Sequence, residues 1–191
     1  MIDYRFQFQV IWENWDLLLE GVWFTLRLST LATLLGLAIG VAGALCRTSG
    51  NRFLGAIAAT YVEAIRNTPF LVQLLFIFFG VSSLGPNIGS DQAALLALVI
   101  NFGAYATEII RAGIEGIDGS QIEAGLSLGL KRLQVFRHVI LKPAIANIYP
   151  ALTSQIVLLM LLSSVVSQIS AEELTFVGNF LRSRTFRDFE V

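Results

Sequence analysis

Histidine and cysteine are almost missing from this 191-residue chain, which has one of each, and charged residues make up only 14% of it. Each shortage removes a class of function. The lone Cys46 permits no internal disulfide and reads as a small apolar residue at a helix end. His138 has no cysteine or second histidine near it, so no metal-ligand cluster exists. It also sits away from the serine-rich stretch near the C-terminus, so a hydrolase's nucleophile and base are not paired. A formal net charge of −1 supplies no basic field and argues against a nucleic-acid partner. With 55% apolar residues, the chain is too hydrophobic for an ordinary soluble domain.

What is present is a series of long apolar segments. Residues 1–20 mix Phe6, Phe8, Trp12 and Trp15 with Asp3, Glu13 and Asp16, the pattern of an amphipathic segment lying at a membrane interface. Mixed charge and the lack of a short apolar run with a cleavage site argue against a signal peptide. Leu28 to Cys46 is uncharged and long enough to span, at roughly 28 Å as a helix. Its Gly36, Gly40 and Gly43 suit close helix contact in lipid, although glycine is also simply common in membrane helices.

Phe53 to Leu84 forms the second region, with Glu63 and Arg66 spaced to pair and Pro69 expected to kink the helix. A loop follows over residues 82–91, with Gly85, Pro86 and Gly89. The third region, Gln92 to Gly113, ends in Glu108, Arg111 and Glu115, whose spacing predicts an ion-paired boundary turn. Ala144 to Ala171 carries no charge and is the fourth. At 3.6 residues per turn its Ser163, Ser167 and Ser170 share a stripe, with Ser164 and Gln168 beside it. With Gln155, these residues mark either a substrate path or hydrogen bonding between helices.

Between the third and fourth regions lies a basic, polar interruption, residues 121–143, holding the chain's two lysines, Lys131 and Lys142. SQIE at Ser120–Glu123 has the form of a capping box, and Gly129 separates this first short helix from a second. The second places Leu130, Leu133, Phe136 and Val139 on one side, with Lys131, Arg132 and Arg137 opposite. An amphipathic helix where a polar loop is expected calls for a partner.

The run EAG (Glu123, Ala124, Gly125), with Gly129 and then Val139-Ile140-Leu141 at their spacing, resembles the EAA signature of permease subunits of bacterial ABC importers. YVEAIRNTPFLVQLLFIFFG and NFGAYATEIIRAGIEGI resemble core helices of the group that carries polar amino acids, of the histidine, glutamate, glutamine, arginine and opine type. The resemblance runs from about residue 15 to the end. It implies an all-α membrane protein of the type I importer permease fold, one transmembrane domain over residues 1–191, with four spans here and a fifth expected after the chain's end.

Residues 114–143 are then the coupling loop, docking on a cytoplasmic ATPase through Glu123, Ala124, Gly125 and Gly129, with Leu133 and Phe136 as apolar anchors. Further expectations are an ATPase dimer that binds ATP and magnesium, no cofactor or catalysis in this chain, and an extracytoplasmic solute-binding protein. A second permease subunit completes the set. Where many amino-acid permeases carry a Lys-Asp pair, this chain has Leu161-Leu162, so a heterodimer is expected, with a homodimer as the alternative.

Basic residues are concentrated in the turn with Arg47 and Arg52 and in the loop from Arg111 to Lys142. They predict a multi-pass protein of the bacterial inner membrane with its N-terminus outside and the coupling loop inside. Arg182, Arg184 and Arg187 oppose that orientation unless the segment containing them packs on the protein. The alternative function is a channel or secondary transporter subunit without ATP coupling. No span offers a charged pore ring and no two repeated halves are evident.

Overall fold

A computed structural model of the chain describes residues 6–85 and 88–191. The first five residues of the segment read as interfacial, and Pro86 of the loop after the second region, lie outside the described residues. Among the described residues the regular elements are all helical.

A short helix α1 (Gln9–Glu13) has no buried residue. Helix α2 then runs unbroken over Trp15–Thr48, 34 residues, or about 51 Å at 1.5 Å per residue. Nothing between Glu20 and Leu28 stops a helix, so the helix of the first span begins at Trp15, inside the stretch expected to lie apart at the interface. A hydrocarbon layer of about 30 Å cannot cover such a length, and part of α2 projects beyond it.

Helix α3 (Arg52–Arg66) starts on Asn51, whose side-chain oxygen accepts the Phe53 and Leu54 N–H groups at 3.0 and 3.3 Å. It stops at Arg66, and α4 (Phe70–Leu75) begins just after Pro69. Pro69 therefore breaks the helix and does not merely kink it, because a proline drives the residue before it out of helical geometry. A π-helical turn, Phe76–Val81, continues α4.

Helix α5 (Ser90–Glu115) follows, then α6 (Gly119–Ser127) and α7 (Arg132–Val135). A second π turn, Phe136–Ile140, joins α7 without a break to α8 (Leu141–Leu162). A 3₁₀ segment, Ser163–Ile169, and α9 (Leu174–Thr185) end the chain. Three stretches are long and apolar enough to cross a membrane: Trp15–Thr48, Ser90–Glu115 and Arg132–Ile169. Counting the broken pair Arg52–Arg66 and Phe70–Val81 as one span makes four.

The helices divide between two compact units. One comprises Ala32–Pro69 and Val99–Leu159. Its seam is the contact of α2 with α5, where Gly36 faces Phe102 and Val99, Gly40 faces Ala106, and Gly43 faces Thr107. A Cβ at Gly40 would stand 2.5 Å from the Ala106 Cβ and 3.1 Å from that residue's backbone, so only glycine allows this approach. Phe102, Ala104 and Ala106 on α5 are fully buried. The Tyr61 hydroxyl ties α3 to α5 by donating to the Ile100 carbonyl at 2.6 Å. Arg66 does not pair with Glu63 as its spacing suggested; its guanidinium lies over the Tyr105 ring, 5.3 Å from the centroid. The expected boundary cluster does form, with Arg111 bonded to both Glu108 and Glu115.

The other unit comprises Met1–Leu31, Phe70–Leu98 and Met160–Val191. Leu74, Ala94, Leu98 and Val166 are buried at its core. The buried Glu173 carboxylate caps α9 by accepting the Phe176 N–H at 2.7 Å. The Leu174 N–H reaches Thr25 Oγ1 on α2 at 3.2 Å, and Gly21 lets Val177 approach the same helix. The three C-terminal arginines are engaged locally: Arg182 with Asp188 at 3.2 Å, Arg187 with Glu190 at 3.6 Å, and Arg184 over Phe180 at 4.5 Å. This last stretch is thus a docked helix.

Candidate coupling surface and translocation path

The polar interruption folds as a helical hairpin. Its first helix is capped by Asp118, two residues ahead of the expected Ser120: the Asp118 carboxylate accepts the Ser120 N–H at 2.9 Å. That bond holds the exposed Asp118 carboxyl below the ordinary aspartate value. An Asp ahead of Gly119 gives the backbone an earlier start than the Ser-x-x-Glu pattern does, and the capping box with Glu123 does not form.

The helix ends in a Schellman motif built on Gly129, at φ +79°. The Gly129 N–H donates to Leu126 O at 2.9 Å and the Leu130 N–H to Gly125 O at 3.2 Å. The chain then enters α7, whose start is held by the Gln134 side-chain oxygen accepting the Lys131 N–H at 2.8 Å.

The two arms close on each other through Gly125. It is buried, and a Cβ there would come within 3.2 Å of Val135 and 3.4 Å of Val139. Val135 is buried too, at 2% exposure. The other residues of the expected docking set divide. Glu123, Ala124 and Gly129 are exposed, and Leu133 is exposed at 77%, but Phe136 is only half-exposed, in the π turn.

Two apolar side chains that the sequence reading missed complete the outer surface, Leu126 and Leu128, at 45% and 82% exposure. The signal for them was available: leucines beside a glycine C-cap fall at the tip of a hairpin. Pro143 does not separate the hairpin from the fourth span: it is the third residue of α8, and the helix runs into it from the π turn without a break. From Arg132 to Ile169 the chain is helical throughout, 38 residues that include Pro150.

The candidate path residues lie along and beyond α8. Gln155 is buried, in the unit that also holds the hairpin. Ser163, Ser164, Ser167 and Gln168 belong to the other unit, in the 3₁₀ segment. Three residues per turn replaces the expected period of 3.6 and regroups them. Ser163 falls in line with Val166 and Ile169 and is buried, whereas Ser164, Ser167 and Ser170 form the more open row and Gln168 is exposed. The hydroxyls of Ser163, Ser164 and Ser167 donate to the carbonyls of Met160, Leu161 and Ser164 at 2.7, 2.7 and 2.8 Å. Each hydroxyl keeps its acceptor lone pairs while its proton is occupied.

The same unit holds a cleft of about 690 Å³, bordered by Glu20, Trp23, Arg27, Asp91, Glu172 and Phe176. Among the described residues no group of His, Cys, Asp and Glu is arranged to hold a metal ion.

The profile of the family described as binding-protein-dependent transport system inner membrane component matches residues 32–185, which include the whole hairpin. The chain belongs to that family. This permease is a multi-pass component of the inner membrane, and the resemblance read from the EAG run stands. It is similar to the glutamine transport system permease protein GlnP of Escherichia coli K12, 35% identical over 189 residues, 98% of this chain and 86% of that protein. Similarity to the putative glutamine transport system permease protein of Rickettsia bellii is 35% over 173 residues, 90% of this chain and 79% of that protein.

Among solved structures, the crystal structure of an amino acid ABC transporter with histidines is 38% identical with a TM-score of 0.90, covering 98% of this chain and 87% of that one. An inward-facing MetNI methionine ABC transporter, 25% identical, aligns at 0.70 over 86% of this chain and 79% of its own. The fold is that of type I ABC importer permeases, and family membership associates such a chain with an ATPase and a binding protein.

Proposed function

We propose that this permease is the membrane subunit of an ATP-driven importer of a polar amino acid, and that the hairpin 118–135 is the surface by which a cytoplasmic ATPase moves it. The observation that carries this reading is the hairpin itself. Gly125 and Val135 close its two arms, Leu126, Leu128 and Leu133 are left uncovered, and its second arm is continuous with a span. Apolar tips on a capped, stiff element suit a docking groove, and a helix continuous with that element carries displacement from the groove toward the membrane interior.

Docking then involves Glu123, Ala124 and the three leucines, with Gly125 and Gly129 shaping the hairpin and Phe136 stiffening its base. The ATPase dimer binds ATP and magnesium, and an extracytoplasmic solute-binding protein delivers the cargo. The hairpin faces the cytoplasm and the N-terminus lies outside. Local partners for Arg182, Arg184 and Arg187, on a segment docked to α2, support that orientation. Ser164, Ser167 and Gln168 line the path, with Ser163 as a buried support, and Gln155 is a further candidate in the unit that holds the hairpin.

The names of the relatives make L-glutamine the first cargo to try. The test is uptake of L-glutamine, L-histidine and L-arginine into proteoliposomes holding the complete transporter and its binding protein. Uptake of at least one that requires ATP is expected, with Glu123→Lys abolishing it while the spans still insert. Uptake that proceeds without ATP would instead establish a channel or secondary transporter.

A further inference from the structure

We propose that the 690 Å³ cleft is a binding site for a free zwitterionic α-amino acid, with Arg27 taking the carboxylate and Glu20, Asp91 and Glu172 facing the ammonium. It rests on the importer reading for the nature of the cargo, but concerns residues that the path along α8 does not use. The volume falls in the range of small-molecule sites, about 300–1,000 Å³.

Glu20 and Arg27 are seven residues apart on α2 and so share a face, with Phe24 between them. Asp91 comes from the first turn of α5, and Glu172 from the segment ahead of α9. The ion pairs among the described residues lie elsewhere and involve Arg111, Arg182 and Arg187, so Arg27 is joined to none of the three acids that border the cleft with it. Opposite charges held apart across a cavity leave room for a ligand that carries both.

The balance of charge selects the ligand class. A simple anion meets three carboxylates, and a simple cation meets Arg27. A zwitterion satisfies both signs, and Trp23 and Phe176, which border the cleft, are residue types that attract an ammonium. A smaller recess shares Arg27 and Asp91 and leads along α2 to Leu28 and Leu31, which gives the cargo a route toward the span.

The test is equilibrium dialysis of radiolabelled L-glutamine, L-histidine and L-arginine against the complete transporter in nanodiscs, without nucleotide and without the solute-binding protein. Saturable binding of at least one is expected. Arg27→Gln should weaken it about tenfold, the loss of a charge-assisted hydrogen bond, and Glu20→Gln should weaken it less. For L-glutamine, the analogues glutaramate, which lacks the ammonium, and the amide of γ-aminobutyrate, which lacks the carboxylate, should bind comparably poorly. Both variants must co-purify with the ATPase, which shows that they are folded.

Absence of saturable binding, an analogue that binds as well as L-glutamine, or binding unchanged by Arg27→Gln overturns the proposal. So does a result in which Arg27→Gln weakens only the capture of the solute-binding protein, since the cleft would then be a docking surface. Uptake that does not need ATP overturns the importer reading and leaves this binding measurement to stand or fall separately.

Discussion

At Gly40 a single hydrogen in place of a methyl decides how closely two helices approach. A Cβ there meets both the side chain and the backbone of Ala106, so the helices must part to admit it. Gly40→Val should cost about 1–3 kcal/mol, and a thermal-unfolding scan of the purified transporter should show a lower midpoint than wild type. Asp118 acts at the other extreme, on the surface. Its carboxyl is held below the ordinary aspartate value by the Ser120 N–H, so its cap strengthens the hairpin above about pH 4 and is lost as pH falls below that. A spin label at Gln121 should become more mobile on acidification through that window, and Asp118→Asn, which caps without titrating, should flatten the change.

Some residue roles were legible because they depend on neighbours in sequence. Gly129 ends a helix, and Arg111 finds acids three and four positions away. Arg66 was misread because its actual partner, Tyr105, is on another helix, and spacing along one helix does not reveal a ring on another. Gly125 enters the sequence reading only as part of the EAG run and of the docking set. Its use emerges only when Val135 folds back on it.

Helical periods that depart from 3.6 are the features the sequence concealed at the level of elements. The Ser163–Ile169 segment winds at three residues per turn, and its serines regroup accordingly. Nothing in SSVVSQIS demands that winding; serine hydroxyls bonding back to carbonyls three residues earlier accompany it. The π turn at Phe136–Ile140 likewise contains one residue more per turn than an α-helix holds, and it sets the rotation of α7 on α8. Deleting His138 should convert it to regular helix with little change in the direction of α7, because four residues at about 100° each turn roughly as far as five in the wider turn. Insertion of the spans and co-purification with the ATPase should both persist; loss of co-purification would show that the extra residue itself is needed to orient the hairpin.

For the whole molecule, apolar length showed the membrane class, and the motif between spans showed the family, since both are written locally. The subunit count is a property of surfaces that one chain does not contain. We expect a second, different permease to supply the charged pair that many amino-acid permeases carry where this chain has Leu161-Leu162. Native mass spectrometry of the transporter should find one copy of this chain with one homologue, and a particle with two copies and no homologue would refute the heterodimer. The seam of Gly36, Gly40 and Gly43 against α5 has a mechanical meaning at this scale. Glycines have no rotamers, so that half of the contact cannot yield by flipping, and the two helices are expected to move together, as if welded.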